Sequence, residues 1–359
     1  MQNLGSKCEK TPWTASRRWL SLLMLLLTIG TVMFTLYNSS TYLSGNLTLL
    51  RTSSWISNLK NNMTTASPSP ASVSTGAHST SEYFVAYPHP YHFVVDEPNR
   101  CKQESPFLVL MVPVPPHNRE ARDVIRSTWG KETTVMSKVV SLYFLLGKPK
   151  QGDKTELLDE QVLQESQTHH DILQSNFLDS YNNLTIKTMV MFEWLVSHCP
   201  NTTYAMKIDS DIFLNVHNLV NMLLKTPQKL YLTGLVARGA AVLRDHNSKW
   251  FMPFSEFPEN SYPPYALGLG YVFSMDLPQK ILEASSHVKA VYIEDVYVGL
   301  CMRYLGIKLT DPPNGGFRAG KPAVTDNCYW TSVITTLLQD SNQLKDMWGM
   351  YQSQVQSGC

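Results

Sequence analysis

The chain has 359 residues, a formal net charge of +1 and 16 % charged residues against 43 % hydrophobic residues. This balance excludes the basic surface with which nucleic-acid-binding proteins neutralise phosphates, so we expect no nucleic-acid partner. The 18 glycines and 21 prolines follow no period, which excludes collagen and solenoid arrays. The length suggests about two units, of which only one has the size of a catalytic domain.

Residues 19–37 form an uncharged, apolar run that is long enough to cross a bilayer as a helix. The basic residues that precede it, all within 1–18, place this short tail in the cytosol by the positive-inside rule. A cleaved signal peptide is the alternative, but the run exceeds the usual apolar segment of roughly 7 to 15 residues and no A-x-A site follows. We therefore predict a single-pass type II membrane protein with a transmembrane signal anchor at 19–37.

The segment after this run is rich in hydroxyl side chains. Between residues 38 and 81, Ser and Thr make up 19 of 44 residues, a composition that cannot bury enough apolar surface to offset its ordering entropy. We expect residues 38–100 to form a lumenal stem and residues 101–359 to form the catalytic domain. N-x-S/T triplets predict lumenal N-glycosylation at Asn38, Asn46, Asn62, Asn183 and Asn201.

The cysteines fit this topology. Cys8 would be cytosolic, and the lumenal cysteines would be Cys101, Cys199, Cys301, Cys328 and Cys359. Disulfides persist in the secretory pathway, and no zinc-type spacing occurs. Because the number of lumenal cysteines is odd, at least one thiol stays unpaired or bonds another chain. We expect this cysteine to be Cys359, at the end of the chain, and the pairing of the others stays open.

From about residue 100 onward, strand-like apolar runs alternate with helical patterns. Strands are predicted at 106–114, 139–147 and 203–215, and helices at 118–130, 155–169 and 179–199. This alternation indicates an α/β domain with a mostly parallel central sheet and helices on both faces. Ligands of such sheets bind at the carboxyl ends of the strands, where Asp209 and Asp211 emerge.

The sequence KIDSDIF, residues 207–213, is the centre of the predicted chemistry. Alternation along a strand puts Asp209 and Asp211 on the same side. Hard divalent cations prefer such oxygen ligands and complete their shell with phosphate and water, which favours a metal-bound nucleotide diphosphate. A solvated turn is the alternative. An EF-hand is excluded because Phe213 stands where a ligand is needed, and the P-loop, zincin and α/β-hydrolase motifs are absent.

Two later clusters accompany this pair. In YPPYALGLGYVFS, Gly268 and Gly270 lie inside an aromatic, strand-like run, where glycine lets another group approach the backbone closely. In VYIEDVYVGLCMRYLG, Glu294 and Asp295 begin a predicted helix, where the helix dipole favours carboxylates. These acids either cap the helix or supply a general base beside the metal site.

Six ordered motifs resemble those of the beta-1,3-galactosyltransferases of glycosyltransferase family 31, namely RDVIRSTWG (122–130), FLLG (144–147), ES…DIL…FLDSYNNLTIKT (165–188), KIDSDIF, YPPYALGLGYVFS and EDVYVG. The resemblance implies a GT-A fold, a Golgi membrane location and a manganese ion, Mn2+, as cofactor. It also implies inverting transfer of galactose from UDP-galactose to the 3-hydroxyl of a GlcNAc-terminated glycan. The beta-1,3-N-acetylglucosaminyltransferase branch shares most of these motifs and is the alternative, and a homodimer is compatible with the sequence.

The same resemblance implies a role for each site residue. Asp295, with Glu294 beside it, is the general base, while Asp209 and Asp211 hold the metal that offsets the charge of the leaving diphosphate. The residues expected to bind the donor are Arg122, Arg126, Asp179, Lys187 and Ser210. The residues expected to bind the acceptor are Trp250, Tyr265, Gly268, Gly270 and Tyr271, the aromatic ones by stacking on a sugar.

One departure from the family lies near the C-terminus. Relatives carry a histidine that completes the metal shell in a stretch resembling ITxHQ, whereas this chain has ITTLLQ with Leu337 at that place. Residues 312–324 also lack an FNHW-like segment. A leucine cannot coordinate a metal, so water or another side chain fills the position, or metal affinity is reduced. A catalytically weak or inactive, glycan-binding Golgi paralogue is therefore a second hypothesis.

Overall fold

The structure is a computed structural model that describes residues 83–152, 155–312, 315–320 and 328–359. The predicted tail, the membrane anchor and the glycosylation sites Asn38, Asn46 and Asn62 lie outside these residues. Within them, every helix is too short or too polar to cross a membrane.

Strands and helices alternate along most of the described chain. The described strands are β1 (Phe93–Val95), β2 (Leu108–Pro113), β3 (Thr134–Val135), β4 (Lys138–Lys148), β5 (Ile172–Leu178), β6 (Tyr204–Ile208), β7 (Ile212–Leu214), β8 (Leu232–Ala237), β9 (Tyr265–Ser274), β10 (Phe317–Arg318) and β11 (Thr335–Leu337). The described α-helices are α1 (Arg100–Glu104), α2 (Arg119–Ser127), α3 (Thr155–His169), α4 (Leu184–His198), α5 (Val216–Leu223), α6 (Leu277–Ser285), α7 (Glu294–Tyr304), α8 (Tyr329–Ser332) and α9 (Gln343–Gln356). Short 3-10 turns cover Trp129–Lys131 and Tyr181–Asn183.

The main sheet has the strand order β1-β5-β4-β2-β6-β9-β8, with β3 paired to β4. Its four central strands, β5, β4, β2 and β6, are parallel, in keeping with the near-continuous apolar runs expected of strands covered on both faces. Antiparallel pairs complete both edges. The predicted α/β class with a mostly parallel centre is confirmed, while the antiparallel edges are a feature that the sequence pattern does not predict.

The hydrophobic core has two parts, one on each face of this sheet. Alternate residues of β2 separate between them, so that Val109 and Met111 lie in one part and Leu108 and Leu110 in the other. Helices α4, α6 and α7 cover the first face, and α2, α5 and α9 cover the second. Burial on both faces holds the strand ends, and the loops that follow them, in fixed positions.

A small sheet, β10-β11-β7, adjoins the main one. The prediction of a single strand over 203–215 is wrong, because β6 ends at Ile208 and the chain turns through Asp209–Asp211 before β7 begins. Strand β7 pairs with β11, outside the main sheet. The D-x-D sequence is therefore a turn at the junction of two sheets, which exposes both carboxylates to one edge.

The predicted C-terminal boundary of the stem, 38–100, lies too late in the chain, because residues before 100 belong to the folded domain. Val85 is buried in the core, and the Tyr87 hydroxyl donates to Glu193 on α4 at 2.8 Å. Strand β1 pairs with β5 in the main sheet. Apolar and hydrogen-bonding contacts therefore make residues 83–100 part of the folded domain.

Two disulfides join Cys101 to Cys199 and Cys328 to Cys359. The prediction that Cys359 is unpaired is wrong, because α9 packs on α8 and carries the last residue back to Cys328. The free thiol among the described cysteines is Cys301 of α7. Burial raises its pKa to about 12, so it is an inert core residue.

The two described glycosylation triplets differ in accessibility. Asn201 is exposed in a turn, whereas the Asn183 amide donates to the Leu178 carbonyl at 2.8 Å. Thr185, the hydroxyl residue of the second triplet, is buried and donates to the Val291 carbonyl at 2.6 Å. Glycosylation at either asparagine stays a prediction, and Asn201 has the more accessible side chain in the folded protein.

Candidate active site

A buried lysine lies between two acidic side chains at the bottom of the site. Lys207, on β6, has a side chain that is only 5 % exposed, and its ammonium donates to Asp209 Oδ1 at 2.7 Å. The same ammonium donates to the Gly268 carbonyl and lies 2.9 Å from Glu294 Oε1. Burial acts to lower the pKa of Lys207, but Asp209 and Glu294 outweigh it and raise the pKa. The charged lysine therefore ties the D-x-D turn to the start of α7.

Glu294 is held almost entirely by protein groups. Its Oε2 accepts hydrogen bonds from the Tyr271 hydroxyl and the Thr188 hydroxyl, each at 3.2 Å. Burial raises the pKa of Glu294 to about 7, although Lys207 acts in the opposite direction. We call Lys207, Asp209, Tyr271 and Glu294, together with the neighbouring acids Asp211 and Asp295, the floor of the site. Contacts within this group connect β6, the turn after it and β9 to the start of α7.

Asp295, next to Glu294, is partly exposed. Two backbone N–H groups hold its carboxylate in one orientation. Its Oδ2 accepts from the Gly268 N–H and its Oδ1 from the Val296 N–H, both at 2.8 Å. Burial raises the pKa of Asp295, and the Gly268 N–H acts against this rise. A fixed, partly accessible carboxylate with a raised pKa is suited to accept a proton. Asp295 is thus better placed as a base than Glu294.

Gly268 allows β9 to approach these acids. A Cβ atom at this position would lie 2.8 Å from Glu294 Oε1 and 3.4 Å from Asp295 Oδ2, which is closer to Glu294 than side-chain atoms pack. The prediction that another group approaches the backbone here is confirmed, and the group is this pair of acids. Gly270 packs beside Met206 instead. Acceptor binding by either glycine stays a prediction.

The D-x-D turn brings Asp209, Ser210 and Asp211 to the edge of the floor. Burial raises the pKa of Asp211, and the neighbouring Asp209 raises it further. Crowded carboxylates of this kind favour a divalent cation, which would relieve their repulsion. Leu337 on β11 pairs with Ile212, and the Leu338 N–H donates to the Asp211 carbonyl at 3.0 Å. Among the described residues, no group of three acidic, histidine or cysteine side chains is arranged as a metal site.

Two of the predicted donor residues form an ion pair at the same edge. The Lys187 ammonium donates to Asp179 Oδ2 at 2.7 Å and to the Val114 carbonyl at 3.1 Å. Asp179 also accepts from the Gly147 N–H at 2.8 Å. These contacts join the carboxyl ends of β2, β4 and β5. The structure therefore brings this pair to the strand edge where a ligand is expected.

The two predicted donor arginines are already engaged by protein groups. Arg122 is 1 % exposed, and it donates to both oxygens of Glu165 at 2.8 and 2.6 Å and to the two proline carbonyls after β2. Arg126 donates to Asp171 at 2.7 and 2.8 Å and to Asp123 at 2.7 Å. Their contacts fix the loop after β2 and the neighbouring start of β5, and a direct donor contact by either stays a prediction.

The predicted acceptor aromatics occupy different environments. Trp250, on the connection between β8 and β9, is 47 % exposed, and Tyr265 is half-buried. Tyr271 is 1 % exposed and lies beneath Glu294. The prediction that Tyr271 stacks on a sugar is therefore wrong, because this residue faces the core side of β9. Its hydroxyl supports the floor instead.

Lys207 and Thr188 contact Glu294 in the site, although the sequence pattern does not mark either of them as a site residue. A lone lysine between Met206 and Ile208 in an apolar strand was a usable signal, since a buried ammonium needs a carboxylate partner. The Thr188 side chain carries no comparable signal, because its role depends on contact with Glu294, which is far away in the sequence.

Comparison with known proteins agrees with this geometry. The family model described as Galactosyltransferase matches residues 120–313. Beta-1,3-galactosyltransferase 1 of Mus musculus and that of Homo sapiens are each 39 % identical over 275 residues, which are 76 % of this chain and 82 % of theirs. Beta-1,3-galactosyltransferase 2 of Homo sapiens is 37 % identical over 284 residues, 78 % of this chain and 67 % of its own. The chain therefore belongs to the galactosyltransferase family, glycosyltransferase family 31.

Proposed function

We propose that this protein is an inverting beta-1,3-galactosyltransferase that moves galactose from UDP-galactose to the 3-hydroxyl of a GlcNAc-terminated glycan. The observation that carries the proposal is the continuous set of contacts from Asp209 through Lys207 to Glu294, beside Asp295. A diphosphate-binding edge and a general base are thereby fixed relative to each other. The names of the relatives support galactose as the sugar transferred.

In the proposed reaction, Asp295 accepts the proton of the acceptor hydroxyl as that oxygen attacks C1 of the galactose. The bond from C1 to the diphosphate oxygen breaks, its electron pair leaves with UDP, and attack from the opposite face inverts the configuration. The N–H groups of Gly268 and Val296 hold the carboxylate in one orientation throughout. Glu294 has the supporting role of fixing the start of α7 through Lys207 and Thr188.

Asp209 and Asp211 would hold a manganese ion. The fit rests on the raised pKa of Asp211 and on acidic oxygens as donors, while Lys207 engages only one oxygen of Asp209. When bound, the ion would supply positive charge for the leaving diphosphate. Ser210, Asp179 and Lys187 would bind the rest of the donor. The arrangement of a mostly parallel sheet with a smaller second sheet at its edge supports a GT-A fold.

We further propose a type II membrane protein of the Golgi apparatus, with the catalytic domain in the lumen. Both described disulfides suit an oxidising compartment. Protease treatment of intact microsomes should digest an N-terminal tag and leave a C-terminal tag intact. A mature chain that begins beyond residue 37, with no membrane-bound form, would contradict the anchor.

The activity is tested by release of UDP from UDP-galactose, with and without a GlcNAc-terminated acceptor, in manganese or in EDTA. The expected result is acceptor-dependent release that EDTA abolishes, with a beta-1,3 linkage in the product. Preference for UDP-GlcNAc would identify an N-acetylglucosaminyltransferase instead. The second candidate function is glycan binding without catalysis, and it is favoured by Leu337, which adds no metal ligand beside Asp211. Absence of UDP release with every donor would support this second candidate.

A further inference from the structure

Two large aromatic side chains lie half-exposed near the catalytic acids. Tyr181 comes from the 3-10 turn before α4 and is 45 % exposed, and Trp250 comes from the connection between β8 and β9 and is 47 % exposed. We call this pair the mouth of the site. Exposed aromatic side chains that are grouped beside polar residues are typical of ligand-binding regions.

A third aromatic residue fixes the positions of both. Tyr292 is buried, and its ring lies 6.4 Å from the Tyr181 ring, in an edge-on arrangement. Its hydroxyl donates to the Phe251 carbonyl at 2.6 Å and reaches the Lys249 carbonyl at 3.2 Å. These carbonyls flank Trp250 on either side. Since Tyr292 also closely precedes Glu294 in the chain, it ties the mouth to the start of α7.

The electrostatic environment of Tyr181 agrees with this position. Burial raises the pKa of its hydroxyl, and the negative charges of Asp295, Asp209 and Glu294 raise it further. The hydroxyl is therefore within electrostatic range of the proposed base, Asp295. Both mouth residues are thus connected through Tyr292, which lies two residues before Glu294 and three before Asp295.

Packing within the protein does not account for the exposed faces of these rings. The Lys249 ammonium lies 4.5 Å from the centre of the Trp250 ring and covers part of it, and Tyr292 covers one edge of Tyr181. The remaining faces are apolar, and each pyranose ring has an apolar face of C–H groups. Aromatic surfaces stack on such faces and leave the sugar hydroxyls free to hydrogen-bond.

We propose that Tyr181, together with Trp250, forms the acceptor platform of this enzyme, on which the terminal pyranose stacks with a hydroxyl directed to Asp295. The proposal rests on the proposed function, since an acceptor hydroxyl must reach Asp295 only if that residue is the base. It assigns Tyr181 as an acceptor-binding residue and Tyr292 as the residue that positions the platform.

The test uses the full chain in detergent and the variants Tyr181→Ala, Tyr181→Phe and Trp250→Ala. Loss of one aromatic contact should raise the acceptor KM about five- to tenfold in Tyr181→Ala, in line with the usual strength of such contacts. The KM for UDP-galactose should change much less. Tyr181→Phe keeps the ring and should stay within about twofold of the wild-type acceptor KM. The double variant should lose less than the product of the single losses, because both residues contact one sugar.

Tyr304 supplies the matched control, because it is an exposed tyrosine at the far end of α7, stacked on His287. Tyr304→Ala should leave both KM values unchanged. A wild-type acceptor KM in Tyr181→Ala, or equal rises in the acceptor and donor KM, would overturn the platform. If Tyr181→Ala does not fold, Tyr181→Leu replaces it, and a UDP-binding isotherm verifies that its donor site is intact.

Failure of the proposed function gives a different result. In that case the wild type transfers no sugar, and calorimetry with a GlcNAc-terminated oligosaccharide then tests the platform directly. Weaker binding by Tyr181→Ala would support the platform without catalysis. Equal binding by the variant and the wild type, or no binding by either, would overturn it.

Discussion

The floor and the mouth of the site are built from different kinds of contact. In the floor, Lys207 and Glu294 are buried, paired with each other and hydrogen-bonded to backbone or side chains. In the mouth, Tyr181 and Trp250 are half-exposed and depend on one buried tyrosine for their position. Under the proposed function, the fixed charges of the floor would serve the chemistry, which has little tolerance for displacement, whereas the exposed rings of the mouth would bind the acceptor.

If the floor serves the chemistry, the largest effect should come from its proton acceptor. Asp295→Asn keeps the size of the side chain but cannot accept the acceptor proton, so the transfer rate should fall by about 10² to 10⁴. Binding of UDP-galactose, measured by calorimetry, should persist because Asp209 and Asp211 are unchanged. A wild-type transfer rate in this variant would mean that another residue is the base, with Glu294 the first to test.

The D-x-D turn should show the next largest effect. Asp211→Ala should lower turnover by about 10² to 10³, the usual cost of losing one major electrostatic stabiliser, and Asp211→Asn should keep the fold and still lose activity. The measurement is initial rate against manganese concentration, with Asp346→Asn on the exposed side of α9 as control. Turnover that persists in EDTA would argue against a metal at this turn.

Much of the floor could be predicted from the sequence, because its acids lie in short motifs. Asp209 and Asp211 follow an apolar strand, and Glu294 and Asp295 begin a helix, so local patterns identify all four. The link between them could not be predicted. Lys207 reaches Gly268 and Glu294, which are far away in the sequence, and such contacts follow from the antiparallel pairing of β6 with β9.

The residues of the mouth, in contrast, could not be predicted from local sequence patterns. The connection between β8 and β9 is mostly irregular and has no hydrophobic period, so Trp250 could be named only through resemblance. Tyr271, with a similar aromatic side chain, proved to be buried. The two residues therefore differ in burial. For Tyr271, burial follows from the face of β9 that α4 and α7 cover, which the local sequence does not specify.

The pH dependence of stability also distinguishes the floor from the mouth, because Glu294 in the floor has a strongly raised pKa, whereas Tyr181 and Trp250 carry no carboxylate. The folded-state pKa of Glu294 is about 7, above its ordinary value of 4.5, so the folded protein binds this proton more tightly than the unfolded chain. The resulting stabilisation is complete below about pH 4.5 and is lost as the pH rises through 7. Glu294→Gln lacks this titration. Its free energy of unfolding should therefore improve relative to wild type, by up to about 3 kcal/mol between pH 4.5 and 8.

Urea unfolding in EDTA at several pH values measures this difference. Glu283→Gln, on the exposed side of α6, is the matched control and should follow the wild-type curve. Parallel curves for Glu294→Gln and wild type would show that Glu294 has the same proton affinity in the folded and unfolded states.

The smallest expected effect concerns the rim of the floor at Leu337. The β11 backbone lies beside the D-x-D turn, through the pairing of Leu337 with Ile212 and the bond from the Leu338 N–H to the Asp211 carbonyl. A leucine adds no metal ligand there, while an imidazole nitrogen is a good one. Leu337→His should therefore raise turnover severalfold at limiting manganese and leave it unchanged at saturating manganese. Gln352→His, which adds an exposed histidine on α9, should have no effect.

Leu337→His should also fail to rescue Asp295→Asn, because metal affinity and proton removal depend on different residues. No gain at low manganese would mean that water or the diphosphate already supplies the ligand, and that the floor is complete without a histidine.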